Sequence, residues 1–212
     1  MIDSRGALTS RLVEGATMLN CPLTKESIDK CFAHMDLLLH WNRTHNLTAV
    51  CEPADFVTLH LLDSLSIAPL IKGDNILDVG SGGGFPGIPL ALALPHTRWT
   101  LLDSRGKRAR FLEEATNHLG LERVAVAQSR VEDYRPEANF DTLVARAVSP
   151  LARFVKETRH LWTDGVRVIA MKGRDLDSEL GEISPEMRNR AEVVSLDIPG
   201  ESLVRRAVVF QN

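Results

Sequence analysis

Between Leu77 and Leu94 the chain reads LDVGSGGGFPGIPLALAL, an aspartate and five glycines within eight positions set between two apolar runs. Glycines at 80, 82, 83 and 84 allow a tight turn with positive φ and let a ligand reach the backbone without meeting a Cβ. Pro86 suits a first helical position, and the helix start behind it offers N–H groups to an anion. Two cofactor classes use such a turn. Residues 82–87 match the G-x-G-x-x-G dinucleotide fingerprint, but the turn itself begins at Gly80, two positions before a pyrophosphate would need it. Asp78 at the turn's entrance would repel a pyrophosphate, whereas a carboxylate there suits a ligand that carries an ammonium and a sulfonium. S-adenosylmethionine is such a ligand. Asp103, twenty-three residues after Gly80, can accept both ribose hydroxyls, a feature shared with nicotinamide enzymes. Val131 and Glu132 in SRVEDY are placed to meet an adenine edge through a backbone amide and a carboxylate.

These residues need a scaffold. After Asn75 short β-branched or apolar runs alternate with amphipathic stretches, which predicts strands at NILDV, RWTLLD, RVAVA, FDTLVAR, GVRVIAM, AEVVSLDI and LVRRAVVF. Helices are expected to begin near Pro86, Gly106, Pro150 and Leu176. The pattern is that of an α/β Rossmann-like doubly wound sheet of seven strands, with ligands held beyond the carboxyl ends of the strands. The short turn between the last two strands excludes a crossover, so the final strand runs antiparallel. Residues 1–72 lack strand patterns and read as an N-terminal helical extension to a domain spanning 73–212. Thr24 is positioned to cap a helix carrying Ile28, Cys31, Phe32, Met35, Leu38 and Leu39, and Pro53 opens a second helical stretch that ends near Pro69.

A chain of 212 residues that is 44% hydrophobic can bury a substantial core. The start of the sequence lacks the apolar segment of a secretion signal, and no run approaches the ~20 residues of a membrane span. A cytoplasmic protein without a membrane partner is expected. Cys21, Cys31 and Cys51 form no C-x-x-C pair, so neither a disulfide framework nor a metal site is indicated. The net charge is −3, yet it is unevenly spread: five basic residues stand against one acid from Arg98 to Arg110, and seven against three from Asp141 to Arg174. Such clusters are either solvated faces or a footprint for phosphates.

The segments LDVGSGGGFPGIPLAL, LLDSRGKRARFL, SRVEDY, ARAVSPL and MKG, with WNRTHNLTAV and HLLDSL upstream, closely resemble the RsmG (GidB) family of 16S ribosomal RNA guanine-N7 methyltransferases. The likeness runs in order through nearly the whole chain, and the F-P-G-I-P-L extension of the turn is its most specific part. The resemblance implies a class I S-adenosyl-L-methionine-dependent methyltransferase fold with an N-terminal helical extension. It also implies 16S ribosomal RNA or the 30S subunit as partner, and a monomer is expected. By position, cofactor contacts fall on Gly80, Phe85, Val131, Glu132 and Arg146, beside Gly82 and Asp103 from the turn and the second strand.

Residues absent from the chain narrow the reaction. All three cysteines precede the sheet, which disfavours attack on a pyrimidine carbon. The turn after the fourth strand reads ARAVSP in place of the Asn/Asp-Pro-Pro-aromatic turn common to exocyclic-amine methylation. Guanine N7 carries an in-plane lone pair and needs no general base, so positioning could supply about 7–11 kcal/mol of the advantage. Arg146 is then an orienting group for the cofactor, guanine O6 or a phosphate, with a structural ion pair to a strand-end acid as its alternative. N7 of paired RNA lies in a deep, narrow groove, so an unpaired or extruded base is the expected target. Arg105, Lys107, Arg108 and Arg110 on one side, and Lys172 and Arg174 on the other, are the candidate RNA contacts. Methyl transfer to another RNA, a protein or a small molecule would share the cofactor turn. A nicotinamide oxidoreductase and a non-catalytic RNA-binding protein are the other classes compatible with the fold.

Overall fold

The computed structural model describes residues 4–146, 149–173, 175–201 and 205–211. Helix α1 (Ser4–Met18) leads into α2 (Lys25–His45), whose first turn is closed by Thr24 Oγ1 accepting from Ser27 N. Pro53 opens α3 (Pro53–Phe56), which continues through a π-helical stretch, Val57–Leu62, into α4 (Asp63–Leu65). Among the described residues no strand precedes β1 (Asn75–Val79), in line with the sequence pattern.

The chain then alternates: α5 (Gly87–Ala93), β2 (Arg98–Asp103), α6 (Gly106–His118), β3 (Val124–Gln128), β4 (Thr142–Arg146), α7 (Leu151–Thr158) and β5 (Arg167–Lys172). Helices α8 (Leu176–Glu182) and α9 (Pro185–Asn189) precede the hairpin of β6 (Ala191–Leu196) and β7 (Arg205–Gln211). Strand order is β3-β2-β1-β4-β5-β7-β6, with β7 antiparallel to both its neighbours. The seven expected strands are all present, and the last is reversed as the short turn requires. Residues 203 and 204, expected at the start of the final strand, lie outside the described residues. Chain order reverses between β1 and β4, so the cleft at their carboxyl ends is the natural ligand site.

Strand parity decides what each site residue faces. Ile76, Leu101, Val144 and Ile169 point into the core shared with α2, α5 and α6, whereas Leu77, Leu102, Leu143 and Val168 point into the core under α7, α8 and α9. The helical extension belongs to the first layer: Leu12, Leu38, Phe56 and Leu61 are fully buried in the same cluster as Ile76. Asp78, Asp103 and Arg146 share the parity of that layer, whereas Lys172 has the parity of the other.

Candidate active site

The glycine turn folds on itself. Gly80 N and Ser81 N both donate to Leu102 O, at 2.7 and 3.0 Å, while Gly84 N and Phe85 N donate to Ser81 O. Gly82 N donates to Asp103 Oδ2 at 3.0 Å. Gly80 and Gly82 have φ of 72° and 57°, as a turn this tight demands. With these amides already engaged, the turn is not a nest for pyrophosphate.

Asp78 departs from the sequence reading. Its side chain is fully buried, lines neither cavity described below, and accepts from Gly87 N through Oδ2 at 2.9 Å. It therefore caps α5 from below rather than meeting a ligand's sulfonium, and the helix start expected to receive an anion is occupied from within the fold. Helix α5 itself begins at Gly87, with Pro86 one position before it. Burial pushes the Asp78 carboxyl up to about 7, against the Gly87 and Ser81 hydrogen bonds that favour its ionised form.

Two cavities open at the carboxyl rim of the sheet. The smaller, about 290 Å³, brings together Gly80, Asp103, Val131 and Glu132, which the sequence spaces over fifty residues. Asp103 is 4% exposed, and its two oxygens are oriented by Gly82 N and by Arg105 N at 2.8 Å. Val131 and Glu132 occupy a single 3₁₀ turn, Val131–Asp133, after β3. The larger cavity, about 870 Å³, contains Gly80, Gly82, Phe85 and Arg146, walled on one side by Thr48, His60 and Asp63 of the helical extension. The two cavities share Gly80, Arg108 and Ser149.

Arg146 ends β4 and is held firmly. Its Nη1 donates to Leu59 O and to Asp63 Oδ2, both at 2.9 Å, and its Nη2 lies 3.1 Å from His60 Nδ1. The guanidinium carbon sits 5.0 Å from the centre of the Phe85 ring, and His60 stacks on that ring at 4.3 Å. An ion pair was one alternative for Arg146; it exists, with an acid of the extension rather than one at a strand end. Because arginine only donates, His60 Nδ1 is an acceptor and its proton is on Nε2, which donates to Thr48 Oγ1 at 2.7 Å. Leu59 O, 3.2 Å from Nδ1, then takes its proton from Arg146. Burial first, and the Arg146 charge second, lower His60 to about 3; burial lowers His34, fixed by Gly83 O, to about 4. Thr48 is in turn gripped by Asn42, whose side chain pairs with both its N–H and its carbonyl. In the sequence these residues stand out only as parts of WNRTHNLTAV and HLLDSL; the signal that could have found them was a histidine and an aspartate three residues apart within an apolar helical stretch.

The basic candidates divide. Arg105, Lys107 and Arg110 are exposed at the start of α6, while Arg108 turns back toward Asp103 at 3.6 Å and lines both cavities. Lys172 is not a free cation: it is 9% exposed and donates to Glu179 Oε2 at 2.7 Å and Ser149 O at 2.6 Å, as its parity toward α8 dictates. Arg174 lies outside the described residues.

The model of the rRNA small subunit methyltransferase G family (GidB) matches residues 27–206. The chain belongs to this family. A protein of Alkalilimnicola ehrlichii named Ribosomal RNA small subunit methyltransferase G is 45% identical over 193 residues, 91% of this chain and 87% of its own length. The protein of the same name from Pseudomonas paraeruginosa is 47% identical over 190 residues, 89% and 88% of the two chains. Among solved structures, a SAM-dependent methyltransferase from Aquifex aeolicus superposes with a TM-score of 0.55 at 16% identity, covering 74% of this chain and 92% of its own. That likeness concerns the fold: the doubly wound sheet expected from the strand pattern, in the class I methyltransferase architecture that the family resemblance implies.

Proposed function

We propose that this chain is an S-adenosyl-L-methionine-dependent methyltransferase that modifies N7 of a guanine in a loop of 16S ribosomal RNA, working in the cytoplasm on the RNA or the 30S subunit. The observation that carries the reading is the meeting of two cavities at Gly80: one has an oriented carboxylate and a 3₁₀ turn, the other a clamped arginine over an aromatic ring. The donor set fits the cofactor. Asp103, held by two N–H groups, has lone pairs left for ribose hydroxyls, and Val131 with Glu132 provides an amide and a carboxylate for an adenine edge. The engaged amides of the turn favour a ligand without a pyrophosphate. When bound, S-adenosylmethionine supplies a methyl group activated by a positively charged sulfur.

The remaining work falls to the chain's own groups. Arg146 has five N–H donors and, among the described residues, spends three on Leu59, His60 and Asp63, which leaves two to orient an acceptor base or the cofactor. Phe85 is 4% exposed and forms an apolar wall of the larger cavity. His60, the imidazole nearest Arg146, has both ring nitrogens engaged and a depressed basicity, so it is not a general base. An acceptor that needs no deprotonation suits such a site, and N7 of guanine is one. Arg105, Lys107 and Arg110 are the proposed phosphate contacts.

The test is transfer of a labelled methyl group to 30S particles from a strain lacking this protein, with 50S particles, transfer RNA and free protein as competing acceptors. Label confined to 16S RNA is expected. Label in protein, or none in 16S RNA, would overturn the proposal.

A further inference from the structure

Asp63 is 4% exposed and belongs to the helical extension, yet its partners are the facing ends of two sheet strands. Oδ2 accepts from Arg146 Nη1 at 2.9 Å, and Oδ1 lies 3.3 Å from Arg205 Nε. Both arginines line the larger cavity. Two guanidiniums drawn together in a low-dielectric cleft repel unless a carboxylate stands between them, and charge neutralisation alone would need nothing more. The arrangement is more constrained than that. Arg146 Nη1 bridges Asp63 and the Leu59 carbonyl, and Nη2 meets His60, all three partners lying within five residues at the junction of the π-helical stretch with α4. A π-helical stretch of this kind is frequent at functional sites. The two N–H groups that Arg146 has left thus point where the extension sends them.

We infer that Asp63 is a positioning residue for methyl transfer: its carboxylate, shared between Arg146 and Arg205, sets the direction in which Arg146 presents its remaining donors to the acceptor base. The inference rests on the methyltransferase reading above and, of the two partners left open to Arg146 there, commits to the acceptor base rather than the cofactor. It goes beyond that reading by giving the helical extension a share in the geometry of the acceptor side.

Asp63→Glu in the full chain is the decisive variant, because it keeps the charge and displaces the carboxylate by one methylene. Asp63→Asn removes the charge. Transfer to 30S particles at saturating donor, the affinity for S-adenosylhomocysteine by calorimetry, and the thermal unfolding midpoint are measured together. Asp63→Glu is expected to fold and to bind S-adenosylhomocysteine as the wild type does, while its kcat drops roughly 10–100-fold, the scale of an ångström-sized misplacement. A wild-type kcat in Asp63→Glu would overturn the inference and reduce Asp63 to a counterion, whatever Asp63→Asn does. A parallel loss of S-adenosylhomocysteine affinity would overturn it too, by placing the effect on the cofactor. Failure of the wild type to methylate 30S particles would instead overturn the functional reading and this inference together.

Discussion

Replacing Asp103 by asparagine isolates the contribution of one oriented carboxylate. Asp103 accepts two backbone hydrogen bonds at once, Gly82 N on Oδ2 at 3.0 Å and Arg105 N on Oδ1 at 2.8 Å, and it is 4% exposed. An amide has only one oxygen, so its NH₂ must face one of these donors, leaving that N–H without its acceptor. Loss of one charge-assisted hydrogen bond costs about 1.5–3 kcal/mol, and at this chain length that shifts the unfolding midpoint by roughly 3–12 °C. The remaining lone pairs also lose the charge that a ribose hydroxyl would meet, and a similar energy corresponds to about 10–100-fold in affinity. Thermal unfolding and calorimetric titration with S-adenosylhomocysteine read the two effects on one preparation. An Asp103→Asn protein with the midpoint and affinity of the wild type would refute the reasoning, since it would mean that neither the turn nor the ligand depends on this carboxylate.

Other expectations follow from the same contacts. Asp78 has its carboxyl raised to about 7 in the folded chain against an ordinary 3.8, so it contributes stability that is full below about pH 4 and gone once pH has passed about 7. Asp78→Asn keeps an acceptor for Gly87 N, and its advantage in unfolding midpoint over the wild type should widen from pH 4 to 7 and level off above. A difference that does not change with pH would contradict a buried carboxyl there. A Cβ at Gly87 would meet the Leu101 side chain and stand 2.6 Å from Asp78 Oδ2, so Gly87→Ala should lower the unfolding midpoint and break the cap of α5. Lys107→Glu with Arg110→Glu should weaken 30S binding and flatten its dependence on log salt by roughly 1–2, at about 0.7–0.9 per phosphate contact. Gly80→Asp should abolish calorimetric binding of S-adenosylhomocysteine while the far-ultraviolet circular dichroism is unchanged, since Gly80 lines both cavities.

Much of the sheet was legible in the sequence because each strand is a short apolar run bounded by turn residues, and the hairpin of β6 and β7 followed from the shortness of its connection. The convergence of Gly80, Asp103, Val131 and Glu132 was legible too, since Gly80 directly follows β1, Asp103 ends β2, and Val131 and Glu132 lie in the short turn after β3, three adjacent parallel strands. Asp78 was misread because its position at the end of β1 is equally compatible with a ligand and with the N–H of Gly87; only strand parity, and knowing which helix covers which face, decides between them. The same holds for Lys172, whose parity turns it to Glu179. The clamp on Arg146 was out of reach for a different reason: it joins residues 83 to 87 positions apart through a π-helical stretch that leaves no periodic signature. Helix α1 escaped notice because its apolar residues are dispersed around the helix rather than gathered on one face.

If the two joined cavities deliver a methyl group to N7 of a single guanine in small-subunit RNA, the product carries a chemical mark that can be read base by base. Methylation at N7 leaves the glycosidic bond labile after borohydride reduction, so aniline then cuts the RNA chain at that base. Thirty-S particles from a strain lacking this protein, incubated with it and the methyl donor, should yield 16S RNA that aniline cleaves at one new guanine, absent when the donor is omitted. Intact 16S RNA after the same treatment, despite full occupancy of the protein by the donor, would contradict the account.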